Sequence, residues 1–133
     1  MDRIVLDTDV VSHHRAGRLP AGYARLVAAN RHYITFATAG ELWRGALDRR
    51  WGDARRGALD LWLAREPILP AGLRAARVWG TITAGAQRRG RPRPLNDTWI
   101  AACCIADAPP LLTLNRRDFA DFAQHHGLVL LGA

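Results

Sequence analysis

Short apolar runs alternate with longer amphipathic segments along the chain, and this alternation is typical of an α/β domain. Runs rich in β-branched, aromatic or leucine residues predict strands at 4–6, 32–36, 111–114 and 128–131. A fifth run, 67–70, is flanked by prolines and fits either a brief edge strand or a linker. Segments with helical periodicity lie between these runs, at 8–15, from 20, 38 through 47, from 53, 71–87, 96 through 105 and 119–125.

The strand-like runs are continuously apolar and do not alternate with polar residues, which indicates strands covered on both faces. We therefore predict one domain spanning residues 1–133, a three-layer α/β/α sandwich around a central, mostly parallel sheet of four to five strands. The length is that of one ordinary domain, and 49% hydrophobic residues suffice for a core.

Four acidic residues fall just after predicted strands or in the opening turns of predicted helices, namely Asp7, Glu41, Asp97 and Asp118. In a parallel sheet such positions share one edge, so we expect the four side chains to converge there. Converging carboxylates repel one another unless a cation neutralises them. Oxygen ligands without a His or Cys cluster favour Mg²⁺ or Mn²⁺, which can activate water towards a phosphodiester.

Each acid also has a purely structural interpretation. Asp7 can cap the helix that follows it, and Glu41 fits a capping box in which Thr38 is the N-cap residue. Asp97 and Asp118 would both be favoured by the dipole at the start of a helix. Four acids at one predicted edge, in an otherwise basic protein, favour a site over four separate caps.

Basic charge is the second distinctive feature of the composition. The formal net charge is +7, and all 19 basic residues are arginines. Because arginine binds phosphate through two parallel hydrogen bonds, a polyanionic partner is expected. The Arg- and Pro-rich segment 88–94 directly precedes Asp97, and we expect it either to guide a phosphate backbone or to be a solvated linker. The candidate contacts are Arg89, Arg91 and Arg93, with Arg116 beside Asp118.

Other residue patterns exclude several classes of site. Cys103 and Cys104 are helical neighbours that point in different directions, so we predict two buried core residues rather than a disulfide. Trp99, two residues beyond Asp97, is either a core residue or a platform for a base. No leader peptide or membrane-spanning run is apparent, so a cytoplasmic location is expected.

Taken together, several motifs give the chain a strong family likeness. They are Ile-Val-Leu-Asp-Thr-Asp at 4–9, Glu41 early in a helix, Asn-Asp-x-x-Ile-Ala-Ala at 96–102, and Leu-Leu-Thr-Leu-Asn-x-x-Asp-Phe at 111–119. This set resembles the PIN-domain ribonucleases, and among them the VapC-type toxins of bacterial toxin–antitoxin pairs. The likeness spans nearly the whole chain, and its most specific part is the segment 90–119.

The resemblance implies endoribonuclease activity that depends on Mg²⁺ or Mn²⁺, with Asp7, Glu41, Asp97 and Asp118 as the catalytic, metal-holding acids. Thr113 and Asn115 match polar positions that lie beside the metal ligands in the family. It also implies a homodimer and inhibition by a small antitoxin protein that covers the acidic groove. At position 9 the family more usually has a neutral polar residue, whereas this chain has Asp9. We therefore expect Asp9 to be either an extra metal ligand or a residue that contacts the ligands.

Two other classes of function stay open at this stage. The first motif also resembles the Asp-x-Asp signature of haloacid-dehalogenase-type phosphatases, in which Asp7 would be the nucleophile. Those enzymes usually need a downstream lysine, and this chain contains none. The second alternative is a non-catalytic nucleic-acid-binding domain with the same fold.

Overall fold

Seven helices enclose a parallel three-stranded sheet in the computed structural model, which describes residues 2–132. The strands are β1 (Arg3–Leu6), β2 (Arg31–Tyr33) and β3 (Leu111–Leu112), and they are arranged in the order β2-β1-β3. The helices are α1 (Thr8–Arg15), α2 (Ala21–Ala29), α3 (Phe36–Asp48), α4 (Asp53–Arg65), α5 (Leu73–Arg88), α6 (Leu95–Asp107) and α7 (Arg116–His126). The central position of β1 places its carboxyl end between two other strands.

The predicted number of strands, four to five, is wrong for the part of the chain that the structure describes. Both outer segments pair with the sheet through single bridges, Ile34 with Ile68 and Leu111 with Leu130. On one side, the flanking prolines Pro67 and Pro70 lack the N–H groups that would extend a ladder. On the other side, β3 is only two residues long, so the segment that contains Leu130 can form little more than one bridge with it.

The predicted boundary between the second strand and the following helix is also wrong. We expected a strand over 32–36 and a helix capped by Thr38, but β2 ends at Tyr33 and Thr35 is the N-cap of α3. The Thr35 hydroxyl accepts a hydrogen bond from the Thr38 backbone N–H at 3.2 Å. Two threonines three residues apart compete for the same capping role, and the earlier one takes it. Glu41 therefore lies in the second turn and is not part of a capping box.

The sheet carries a hydrophobic cluster on each face, which confirms the three-layer α/β arrangement. Val5 of β1 packs with residues of α5, α6 and α7, including Ile100 and Phe122. Its neighbours Ile4 and Leu6 point the other way, towards a cluster that includes Val10 and Val11 of α1, together with residues of α2, α3 and α4. Neighbouring residues of β1 are thus buried on opposite faces, which explains why the strand is apolar throughout.

The two cysteines behave as predicted, since Cys103 and Cys104 are both buried in α6 and neither forms a disulfide. Burial raises the pKa of the Cys103 thiol to about 11, so it stays protonated and unreactive at neutral pH. Within residues 2–132, no helix has the combination of length and apolar character needed to cross a membrane.

Candidate active site

Asp7 occupies the point where the central strand becomes a helix. It follows β1, and its backbone N–H continues the sheet by donating to the Leu112 carbonyl at 2.9 Å. One carboxylate oxygen accepts from the Thr8 N–H and the other from the Thr113 hydroxyl, both at 2.8 Å. With only 6% of its surface exposed, Asp7 is held in one orientation at the carboxyl edge of the sheet.

The electrostatic surroundings of Asp7 oppose its ionisation. Burial raises the pKa of its carboxyl to about 7, and the negative charges of Asp9 and Asp97 add to the effect. The hydrogen bonds from Thr113 and Thr8 act in the opposite direction but do not cancel it. Without a cation, protonation of Asp7 is therefore favoured well above the usual pH range of an aspartate.

Asp97 lies near three other acids and has a similarly disfavoured charge. It is partly buried in the first turn of α6. Burial raises its pKa to about 6, with further contributions from the charges of Asp118, Glu41 and Asp9. Arg93 acts in the opposite direction, because its positive charge favours the carboxylate. These mutual effects place Asp97 within electrostatic range of the other predicted site acids.

Glu41 is attached to the start of α1 by a hydroxyl group that the sequence analysis did not identify. The Thr8 hydroxyl donates to Glu41 Oε1 at 2.7 Å, and Thr38 Oγ1 lies 3.0 Å from Thr8 Oγ1. Because Thr8 uses its single proton on Glu41, the Thr38 hydroxyl donates to Thr8. The chain of two hydroxyls fixes the carboxylate of α3 relative to the turn that holds Asp7. Thr8 and Thr38 are 30 residues apart, and no sequence pattern links them.

Asp9 connects the first turn of α1 to the turn that follows β3. Its Oδ2 accepts from the Asn115 side-chain amide at 3.0 Å, and the Asn115 backbone N–H donates to the Thr113 hydroxyl at the same distance. Thr113 and Asn115 thus lie beside the acids, as the family resemblance implied. Asp118 follows in the first turn of α7 and is exposed.

The donor chemistry of this edge fits a hard divalent cation, although the side chains are not arranged around one. All the acids are oxygen donors, and the pKa values of Asp7 and Asp97 are raised by burial and then by neighbouring negative charge, both of which a cation would offset. Across residues 2–132, no three His, Cys, Asp or Glu side chains lie close enough to hold one ion together. Mutual repulsion keeps the carboxylates apart, and the exposed Asp118 has room to approach the others by a change of rotamer.

The four arginines predicted to contact phosphate divide into two groups. Arg93 lies close enough to Asp97 to lower its pKa and donates to the Asp118 backbone carbonyl at 3.4 Å. Arg91 and Arg116 are exposed, and Arg116 donates to the Leu131 carbonyl at 2.8 Å. Arg89 instead contacts α7, where its guanidinium lies 2.6 Å from Asp121 and 3.1 Å from His126 Nε2. Its contacts are those of a residue that joins α5 to α7.

Trp99 belongs to an aromatic cluster next to Asp97. Its ring stacks on Trp79, with centroids 5.0 Å apart and an angle of 13°, and meets Phe36 edge-on at 5.4 Å. Trp79 therefore occupies one face of the platform that we considered for a base. Phe36 is 43% exposed and is the outermost ring of the three.

Comparison with known proteins identifies the family to which the chain belongs. No curated protein sequence matches the chain significantly. Among solved structures, it is similar to VapBC2 from Rickettsia felis bound to a promoter DNA fragment, with 21% identity and a TM-score of 0.80 over 97% of each chain. VapBC-1 from nontypeable Haemophilus influenzae has 23% identity and a TM-score of 0.80, over 98% of this chain and 97% of that one. VapBC-5 from Mycobacterium tuberculosis has 28% identity and a TM-score of 0.65, over 97% and 98%.

A family model agrees with these structural similarities. The model described as the PIN domain matches residues 4–125, which is most of the chain and includes all four predicted site acids. The resemblance inferred from the sequence is confirmed, and the chain belongs to the PIN-domain family.

Proposed function

We propose that this chain is a metal-dependent endoribonuclease and the toxin of a VapC-type toxin–antitoxin pair. Its catalytic acids are Asp7, Glu41, Asp97 and Asp118, which together hold Mg²⁺ or Mn²⁺. The observation that carries the proposal is the gathering of acids at the carboxyl edge of the sheet, where burial raises the pKa of both Asp7 and Asp97 and neighbouring acids raise it further. Strongly perturbed acids at one edge are typical of a functional site.

Each acid has a defined part in this proposal. Thr8 and Thr113 orient the Asp7 carboxylate, and Thr8 also orients Glu41, so two of the ligands are fixed before a metal binds. Asp97 and Asp118 lie in the first turns of α6 and α7 and would complete the site. When bound, the cation would supply an activated water and neutralise charge at the phosphodiester. Arg93 is placed to neutralise a phosphate that approaches Asp97.

The proposed partners are an RNA substrate, a small cognate antitoxin and a second copy of the chain in a homodimer. The support for the antitoxin is the similarity to chains from VapBC complexes over nearly the full length. The net charge of +7 supports a polyanionic substrate.

Cleavage of labelled RNA by the purified chain, freed of any antitoxin, tests the proposed activity. We expect cleavage with Mg²⁺ or Mn²⁺ and none in excess EDTA, with Asp97→Asn as the inactive control. Cleavage at full rate in EDTA would exclude the metal-dependent mechanism.

The same assay separates the enzyme from the two alternatives. A non-catalytic binder would retain RNA under every condition without cutting it. The phosphatase alternative predicts a phosphorylated Asp7, and the family match argues against it. Mass spectrometry of the chain after incubation with a phosphate ester would detect that intermediate.

A further inference from the structure

A second site candidate lies away from the acids, where the ends of α1 and α3 meet α4. Three helices surround a cavity of about 390 Å³ there. Arg15 of α1, Arg49 at the end of α3 and Arg55 of α4 line it, together with the ring of Trp51. No acidic side chain is among the lining residues, so the cavity is strongly positive.

The three arginines are not neutralised by the acids near them. Within residues 2–132, Arg15, Arg49 and Arg55 form no salt bridge. The local acids are engaged elsewhere, because Asp48 pairs with Arg44 and Asp53 pairs with Arg56. An uncompensated group of three guanidinium groups around a cavity favours an anionic ligand.

Two of these arginines are held by aromatic rings. The Arg55 guanidinium lies 3.8 Å from the centroid of Trp51, and that of Arg15 lies 5.4 Å from the centroid of Trp62. A cation–π contact of this kind places a guanidinium over a ring and does not use its N–H groups as hydrogen-bond donors. That geometry suits two-point recognition of a phosphate.

The backbone at the edge of the cavity is strained. Arg50 has a φ of 56°, a left-handed conformation that usually requires glycine at the end of a helix. Its N–H donates to the Leu47 carbonyl and that of Trp51 to the Ala46 carbonyl, both at 3.0 Å. This tight turn brings Arg49 and Trp51 to the same cavity. Strain of this kind at a non-glycine residue often accompanies a functional site.

We infer that this cavity binds a backbone phosphate of the RNA strand, away from the bond that is cut. The inference rests on the proposed function and adds a binding site to it. The cavity and the acids share two helices, since Leu42 lines the cavity directly after Glu41, and Ser12 lies on α1, whose N-cap residue is Asp7. Without a bound cation the acidic edge repels phosphates, so a positive surface away from it would contribute to RNA affinity.

RNA binding without cleavage provides the test. A short fluorescent single-stranded RNA is titrated, at several KCl concentrations, into the Asp97→Asn protein with and without Arg49→Gln/Arg55→Gln. Loss of two phosphate contacts should reduce the slope of log affinity against log salt by about 1.4 in magnitude, and weaken binding about tenfold at about 0.2 M salt. The matched control is Arg65→Gln/Arg74→Gln, which removes the same charge from exposed positions of α4 and α5. It should change the slope much less.

Several outcomes would overturn the inference. One is an equal effect of the two double variants, which would mean that only net charge matters. Another is displacement of the RNA by AMP at equal concentration, which would assign the cavity to a free nucleotide. A third is loss of antitoxin binding with unchanged RNA binding, which would assign it to a protein partner. If the Gln double variant does not fold, Arg49→Lys/Arg55→Lys keeps the charge and should keep the slope while losing affinity.

The readout also separates this inference from the proposed function. RNA binding that depends on Arg49 and Arg55 in a protein that never cuts RNA would support the cavity and refute the nuclease. Cleavage by a protein whose RNA affinity does not depend on Arg49 and Arg55 would support the nuclease and refute RNA binding at the cavity.

Discussion

Replacing Asp7 by asparagine should stabilise the metal-free protein at alkaline pH and abolish its proposed activity. The rise of the Asp7 pKa from 3.8 to about 7 corresponds to roughly 4 kcal/mol at about 1.4 kcal/mol per pKa unit. Asparagine removes that charge but also weakens the contact with Thr113, at a cost of about 1–2 kcal/mol. The Thr113 hydroxyl would then have to accept from the new amide and find another acceptor. We expect a net gain of about 1–3 kcal/mol at pH 8.

The sign of the effect should depend on pH. Because the folded-state pKa of Asp7 is raised, its contribution to stability is fully present below about pH 4 and is lost as the pH rises through about 7. Asp97 adds a similar loss through about pH 6. In EDTA, the native chain should thus become less stable between pH 5 and pH 8. Asp7→Asn should flatten this dependence, and its advantage should vanish or reverse at pH 5.

Urea unfolding at pH 5 and pH 8, in EDTA and in Mg²⁺, measures these effects. Mg²⁺ should stabilise the native chain at pH 8 by mass action and stabilise Asp7→Asn less. A variant that is destabilised equally at both pH values would refute the reasoning, since Asp7 would then act mainly as a helix cap. The absence of a Mg²⁺ response in the native chain would argue against the metal site.

Three further predictions test individual contacts. Thr8→Val removes the hydrogen bond to Glu41 and should lower metal affinity or the cleavage rate by about 10–100-fold. Thr8→Ser keeps the hydroxyl and should restore whichever of the two quantities falls. Arg89→Gln should lower the free energy of unfolding by about 1–2 kcal/mol with unchanged RNA affinity, whereas the exposed Arg91→Gln should leave stability unchanged. Within α5, Gly80→Ala should stabilise the fold by about 0.5–1 kcal/mol in thermal melts. Gly85→Ala should not, because its new methyl would lie 2.9 Å from the ring of His126.

Each of these has a distinct contrary result. Unchanged metal affinity and cleavage in Thr8→Val would mean that Glu41 does not need its hydroxyl partner. Weaker RNA binding by Arg89→Gln, without loss of stability, would mean that Arg89 contacts RNA, as the sequence analysis predicted. An equal gain from both glycine substitutions would show that His126 moves aside at no cost.

The sequence predicted the elements that depend on local pattern. Asp97 lies in the first turn of α6, as expected. Asp118 lies in the first turn of α7, which begins at Arg116 and not at the predicted residue 119. The core positions of Cys103 and Cys104 likewise followed from an apolar helix. What depends on distant contacts was harder to predict. The predicted strand over 128–131 is reduced to a single bridge because β3 beside it is only two residues long, and the sequence of 128–131 does not record that length.

The candidate site shows the same division between local and distant information. Thr35 and Thr38 give equally good capping signals, but in the fold Thr35 caps α3 and the Thr38 hydroxyl contacts Thr8 of α1. Arg89 and Arg93 lie four residues apart in one basic segment, yet Arg89 contacts Asp121 of α7 whereas Arg93 contacts the Asp118 carbonyl in its first turn, near the acids. The residue types that make a site are visible in a sequence, whereas their partners are set by the fold.

The bond that Asp7 makes to α1 bears on whether it is a cap or a site residue. A typical N-cap side chain accepts from the second or third N–H of its helix, whereas Asp7 accepts from the first, that of Thr8. A neutral asparagine or serine could cap the same helix without a buried charge. The chain instead places a carboxylate where burial and two neighbouring acids disfavour it. Proteins keep such an unfavourable charge mainly where function requires it, so the structural interpretation of Asp7 explains less than the metal site does.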